Sequence, residues 1–350
     1  MIIEDSRMTI DTLHSLGLGL ATLDSQGKVI EVYFPEPVLN PAAESVIALS
    51  MHCGYERGNA DIRLSTAQRN EIADDSSIPM SKLLRDTLKT SRSQIVAMFL
   101  AENSAPASVA EVYLKLHLLS HRLVKPHALN LQGAFGILRN IAWTNQGAIA
   151  VEELAARQLQ ARSNGELLDV MSIDKFPKMA NYVVPGGVRI ADTARVRLGA
   201  YVGEGTTVMH EGFINFNAGT EGSAMVEGRI SAGVIVGEGS DLGGGCSTMG
   251  TLSGGGTAII SVGRDCLIGA NAGIGIALGD RCIVEAGLYV TSGTIVSVLN
   301  HEGQLVQHTK ARDLSGRNDL LFRRNSQTGA VECKTNKTSI ALNEELHSHN

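Results

Sequence analysis

The chain has 350 residues, 43% of them hydrophobic, which is enough material for two or three domains with real cores. Thirty-eight glycines and only 4% aromatic residues are not the composition of a helical bundle, and moderate charge with low proline argues against wholesale disorder. A net charge of −6 argues against a general nucleic-acid binder, while leaving room for a local basic patch that takes a small anion.

The N-terminus, "MIIEDSRMTIDTLHS", carries acids early and lacks the apolar run of a secretory signal. No apolar run approaches the ~20 residues a membrane span needs. Five cysteines (Cys53, Cys246, Cys266, Cys282, Cys333) are an odd number without a CxxC pair. Together these lead us to expect a reduced cytoplasmic protein with free thiols and no membrane partner.

Residues 1–181 read as an α/β domain. "KVIEVYFPEPVL" (Lys28–Leu39) is strand-like with a proline-bounded end. "SVAEVYLKLHLLSHRLV" (Ser108–Val124) is a buried helix, with Ser108 as N-cap and Glu111 completing a capping box. "GAIAVEELAARQLQARS" (Gly147–Ser163) reads as a second helix.

Near Tyr182 the composition turns to Val, Ile, Gly and Ala. Branched residues recur every six positions: Ile190, Val196, Val202, Val208 and Ile214, then Ile230, Val236 and Leu242, then Val262, Ile268 and Ile274. A shift of four gives Leu278, Val284, Val290 and Val296. Period six fits neither an amphipathic helix nor one continued strand. It fits a left-handed parallel β-helix over 182–298, with aliphatic residues inside a triangular prism and small residues at its corners. The repeated "VGEG" at Val202–Gly205 and Val236–Gly239 is such a corner.

Eleven glycines among Glu227–Gly256 are therefore mostly punctuation. The GxxxxGK[ST] of a phosphate loop is absent, and no helix follows as a dinucleotide fingerprint requires. "NAGTEGSAMVEGR" (Asn217–Arg229) and "CSTMGTLSGGGTAIIS" (Cys246–Ser261) break the series and are expected to leave the coil as loops. Residues 299–350 form a short C-terminal segment, basic around "KARDLSGRNDLLFRRNS", with a tail expected to fray.

The run "HEGFINFNAGTEGSAMVEGRISAGVIVGEGSDLGGGCSTMGTLSGGG", with "KARDLSGRNDLLFRRNS" downstream, resembles the tetrahydrodipicolinate N-succinyltransferases, in the longer branch found in actinobacteria and pseudomonads. The resemblance spans about Val183 to Gly329 and implies succinyl transfer from succinyl-CoA to the amino group of ring-opened tetrahydrodipicolinate, a step toward diaminopimelate and lysine.

It also implies roles. Glu227 in "MVEGR" matches the catalytic glutamate, either as general base or as nucleophile of an acyl-anhydride route. Gly250 in "STMGT" matches the backbone donor to the thioester oxygen. Arg229, Gly244 and Ser247 fall where acyl-CoA is contacted, and an arginine suits the succinyl carboxylate. Ala270, Glu285, Ala286 and Gly293 fall along the pantetheine arm. Lys310, Arg323, Arg324, Asn325 and Ser326 suit the CoA phosphates.

Glu211 in "MHEG" matches a ligand of a divalent ion, Mg2+, on the axis of a homotrimer. Ala194 stands where the second acid is expected, with Asp192 nearby. The competing readings are another CoA-dependent N-acyltransferase, for example with an acetyl donor, and a non-catalytic β-helix scaffold.

Overall fold

The computed structural model describes residues 13–250 and 259–335. The chain divides into two compact units. The first runs to Val124 and takes in Ala128–Pro177 and Asn181–Val183; the second comprises Lys125–His127, Lys178–Ala180 and the chain from Val184 onward.

The first unit is built on an antiparallel sheet ordered β2-β1-β5-β4. These strands are β1 (Ser15–Leu23), β2 (Val29–Tyr33), β4 (Ala60–Leu64) and β5 (Gln94–Leu100), with the short β3 (Val38–Leu39) also on β1. Glycines in β1 make room for the core: a Cβ at Gly17 would lie 2.6 Å from the Phe34 ring, and one at Gly19 would lie 2.5 Å from Val32. Helices α1 (Ala43–Cys53), α2 (Thr66–Asp74) and α3 (Lys82–Thr90) supply Leu49, Ile72 and Leu88 to the same core as Ile95 and Phe99.

Helix α4 (Val109–Ser120) is the buried helix expected at Ser108–Val124, with every residue from Ala110 to Ser120 out of solvent. Ser108 caps it by accepting from the Glu111 N–H. The capping box is only half formed, because the Glu111 carboxylate accepts from Ala107, one residue too early, and also pairs with buried Lys115 at 3.3 Å. Lys115 in turn donates to the carbonyls of Ser104 and Asn130, which pins two loops to the helix.

After the single turn α5 (Ala134–Ile137), a small sheet is formed by β6 (Ile141–Thr144), β7 (Gly147–Ala150) and β8 (Val170–Asp174). The helix expected from Gly147 begins only at Val151, as α6 (Val151–Ser163). "GAIA" pairs with β6 instead, because Ile149 and Ala150 have an apolar neighbour strand to cover them. Sheet pairing overrides helix propensity here.

The second unit is a three-sided parallel β-helix, the fold class expected from the period of six. One side stacks the strands at 201–202, 219–220, 235–236 and 261–262. The second stacks 213–214, 229–230, 247–248, 273–275 and 289–291, and the third runs from 189–190 through 206–208, 224–226, 240–242 and 267–268 to 283–284. Val202, Val208, Ile214, Ile230, Val236 and Ile268 are fully buried inside. The "VGEG" corners turn at Gly205 (φ +83°) and Gly239 (φ +77°), a conformation that costs most residues energy but not glycine.

One expected loop does not exist. Asn217–Arg229 stays in the coil: Gly219–Thr220 pairs with Tyr201–Val202 and with Ile235–Val236, and Ala224–Val226 pairs with Thr206–Val208. Thr220 occupies an inward slot that a search for branched apolar residues passes over. Its hydroxyl is satisfied by Thr206 at 2.7 Å and by the Gly203 N–H at 3.1 Å, so it is buried without penalty. The real irregularity is the step of four from Val226 to Ile230. Within the second expected break, Ser247–Thr248 also stays in register, pairing with Gly273–Ile274. Residues 251–258 of that break lie outside the described residues.

The chain beyond the coil folds back on it. Ile295–Leu299 and Leu305–Lys310 form a hairpin, and Leu320–Arg324 pairs in parallel with Ile283–Val284, burying Phe322 as the next inward residue. Val331–Thr335 completes the sheet against Leu320–Arg324.

Candidate active site

Glu227 follows the strand Ala224–Val226 at a corner of the coil. Its backbone N–H donates to Leu242 (2.9 Å) and its carbonyl accepts from Gly245 (3.3 Å), so the backbone is held from the next coil. The carboxylate reaches across that coil, and Glu227 Oε2 lies 3.5 Å from where a Cβ on Gly244 would stand. The absence of a side chain at 244 leaves the carboxylate accessible from that side.

The adjacent Cys246 thiol is buried, and burial with the charge of Glu227 pushes its pKa up to about 12. It is a packed thiol rather than a nucleophile. Gly228 is equally constrained, since a Cβ there would lie 2.3 Å from the Cys246 Sγ.

Arg229 and Ser247 are register partners on neighbouring coils, with Phe213 on the coil before and Gly273 on the coil after. The Arg229 side chain is exposed and makes no ion pair among the described residues, not even with Glu227 two positions away. Beside it opens a cavity of about 460 Å³ lined by Arg195, Glu211, Phe213, Arg229, Gly245 and Cys246, among others. The coil therefore brings together Glu227, Arg229, Gly244 and Ser247 from the sequence reading. It adds Arg195 and Phe213, which that reading missed: their only signal is that they lie 34 and 16 residues before Arg229, one or two turns of the coil.

Arg195 donates to the Glu211 carbonyl at 2.8 Å and stands 3.8 Å from its carboxylate; His210 lies 3.5 Å from it on the other oxygen. Asp192 is spent on its own turn, accepting from the Ala194 N–H at 2.9 Å. Among the described residues no group of three or more His, Cys, Asp or Glu gathers to hold a metal. An ion on a trimer axis would take one Glu211 carboxylate from each of three chains, with water filling the rest of its shell; within one chain that carboxylate stands beside Arg195, and no chemistry is routed through a metal.

Gly250 is half-exposed, two residues past the strand Ser247–Thr248 and at the edge of the described residues. Ala270 and Ala286 are exposed, and Gly293 is exposed with open space around it. Glu285 is committed within the chain, accepting from the Arg324 backbone N–H at 2.6 Å. Arg323 and Asn325 converge on Glu332, whose carboxyl is held below the usual range first by the Asn325 hydrogen bond and then by Arg323. Arg324 uses Nη1 on the Gly329 carbonyl, and Lys310 and Ser326 are exposed.

Comparison with known proteins covers nearly the whole chain. Residues 71–136 and 138–178 match the family profiles described as tetrahydrodipicolinate N-succinyltransferase N-terminal and middle, and 259–292 match the hexapeptide repeat of succinyl-transferase. Proteins named 2,3,4,5-tetrahydropyridine-2,6-dicarboxylate N-succinyltransferase are similar along almost their whole length. That of Pseudomonas aeruginosa is 63% identical over 97% of this chain and 99% of its own, and that of Vibrio cholerae is 57% identical over 96% and 99%. The chain belongs to the tetrahydrodipicolinate N-succinyltransferase family. A crystal structure from Campylobacter jejuni, described as a 2,3,4,5-tetrahydropyridine-2-carboxylate N-succinyltransferase, superposes with a TM-score of 0.86 at 32% identity, covering 96% of this chain and 95% of that one. The family profiles fall on both units, so the N-terminal unit belongs to the family as much as the coil does. No helix among the described residues is long and apolar enough to cross a membrane.

Proposed function

We propose that the chain is a succinyl-CoA-dependent N-succinyltransferase acting on the amino group of ring-opened tetrahydrodipicolinate, in lysine and diaminopimelate biosynthesis in the cytoplasm. The observation that carries the reading is the Glu227 carboxylate over side-chain-free Gly244 of the next coil, two residues from Arg229, which makes no ion pair among the described residues and has Ser247 as its register partner. Arg229 binds the succinyl carboxylate, which favours this acyl group over acetyl. Glu227 takes the proton as the amine nitrogen attacks the thioester carbon. The N–C bond forms, the C–S bond breaks, and the departing CoA thiolate receives the proton. If Glu227 acts instead as nucleophile, the same bonds exchange in two steps through an anhydride. The Gly250 N–H is assigned to the developing oxyanion.

In this reading, Ala270, Ala286 and Gly293 leave room for the pantetheine arm, and the segment from 299 onward, with Lys310, Arg324 and Ser326, meets the CoA phosphates. Residues 1–181 and 182–298 serve as the N-terminal and acyltransferase domains. A single convex prism face covers too little of so long a cofactor, so the working enzyme is a homotrimer with grooves between prisms. Thiol release with succinyl-CoA and freshly prepared tetrahydrodipicolinate tests the function. Turnover with acetyl-CoA at an equal rate would overturn the donor assignment, and a fully active monomer in light scattering would overturn the trimer.

A further inference from the structure

The N-terminal unit contains a carboxylate that succinyl transfer does not use. Glu31 is half-buried in β2. Its Oε1 accepts from the Thr22 hydroxyl at 2.7 Å and its Oε2 from the Tyr182 hydroxyl. Burial, then the neighbouring Tyr113 and Glu31, raise the Tyr182 pKa well above the ordinary value, so that hydroxyl remains a donor. Among the described residues Glu31 has no cationic partner.

The carboxylate opens on a cavity of about 310 Å³ whose walls include Tyr33, Trp143, Thr144 and Tyr182. The Tyr33 and Tyr182 rings stand edge to face, 6.0 Å apart at 66°. The Trp143 indole N–H is spent on the Asp174 carbonyl (3.0 Å) and the Thr144 hydroxyl on the Gly147 carbonyl (2.8 Å), so neither offers a donor to a guest. A carboxylate without a cationic partner among aromatic rings attracts a cation, and the amide side chain on the cavity wall, Asn181, is neutral. A hard metal ion would need several more oxygens than the cavity presents. The volume lies at the lower end of the range for small-molecule sites.

We propose that this cavity binds a small organic ammonium ion, with its charged nitrogen on Glu31 and its alkyl body against Tyr33, Trp143 and Tyr182.

Trp143 is the only tryptophan in the chain, so its fluorescence reports on this cavity. The full-length protein is titrated with n-butylammonium chloride, and with n-butanol and sodium butyrate at matched ionic strength. Calorimetry on the same samples detects optically silent binding. The expected result is saturable binding of n-butylammonium only. Glu31→Gln, with an unchanged circular dichroism spectrum, should weaken it by about tenfold or more. Tyr33→Leu, at a partly exposed position, should weaken it too and decides the matter if Glu31→Gln does not fold. Equal response to n-butanol, no binding by either method, or full affinity in a folded variant would each overturn the proposal.

Discussion

The Arg323 guanidinium holds the Glu332 carboxylate through Nε at 2.9 Å and Nη2 at 2.8 Å, across the antiparallel pair that closes the C-terminal sheet. Its neighbour Arg324 has no carboxylate partner among the described residues and spends only Nη1 on a carbonyl. Two adjacent arginines of one basic run therefore have different work.

Their single variants should separate. Arg323→Ala leaves Glu332 with its carboxylate largely buried and only Asn325 to satisfy it. The loss should be about 1–3 kcal/mol, below that for a fully buried pair because Arg323 is itself 40% exposed. Arg324→Ala should leave the melting temperature within about a degree, since exposed substitutions rarely exceed a few tenths of a kcal/mol. It should instead raise the apparent KM for succinyl-CoA. Thermal melts and CoA calorimetry on both variants check this; equal CoA affinity in Arg324→Ala and wild type would remove Arg324 from the cofactor site.

Glu227→Gln preserves shape and backbone hydrogen bonds and removes the ionisable group. It should fold and keep its assembly while losing ~10²–10⁴-fold in turnover. Activity within a few-fold of wild type would assign the proton transfer elsewhere.

Gly228→Ala should damage the coil itself. The new Cβ would meet the Cys246 Sγ at 2.3 Å and its carbonyl oxygen at 2.6 Å, and the carbonyl belongs to the backbone stacked on the next coil. A cost of about 1–3 kcal/mol or more is expected. Pairing it with Cys246→Ala clears the sulfur but not the carbonyl, so denaturant unfolding of the double variant should show only partial recovery.

His117 should make the fold acid-sensitive. Its Nδ1–H donates to the Tyr113 carbonyl at 2.7 Å and its Nε2 accepts from the Phe34 N–H at 3.2 Å, so both nitrogens are satisfied in one neutral tautomer. Burial holds its pKa down to about 3, against 6.5 for the free side chain. Between these values the unfolded chain binds a proton that the folded chain refuses. Stability should therefore fall as pH drops from 6.5 toward 3, at most about 1.4 kcal/mol per pH unit from this residue. His14 and His121 are lowered in the same direction, chiefly by burial, and add to the slope. His117→Gln should flatten the dependence of the urea midpoint between pH 6.5 and 5 by one proton's share; an unchanged slope would show that His117 is not the group refusing the proton.

The sequence by itself determined the coil, because an aliphatic residue every sixth position can be buried in only one way and the register follows from it. Val202, Val208 and Ile268 stand inside as their spacing requires. It also determined the Ser108 cap, a contact made within three residues. What it left undecided depends on partners distant in the chain. Thr220 looks like a loop residue until Thr206, one coil earlier, satisfies its hydroxyl. "GAIA" looks helical until β6 pairs with it. The basic run looks uniform until Glu332 claims one arginine and Glu285 claims the backbone of the next. Glu31, Trp143 and Tyr182 share one cavity although more than a hundred residues separate the first from the others. Local pattern fixes what is repeated or capped in place; hydrogen-bond satisfaction and charge pairing between remote residues are settled only when tertiary packing brings the partners together.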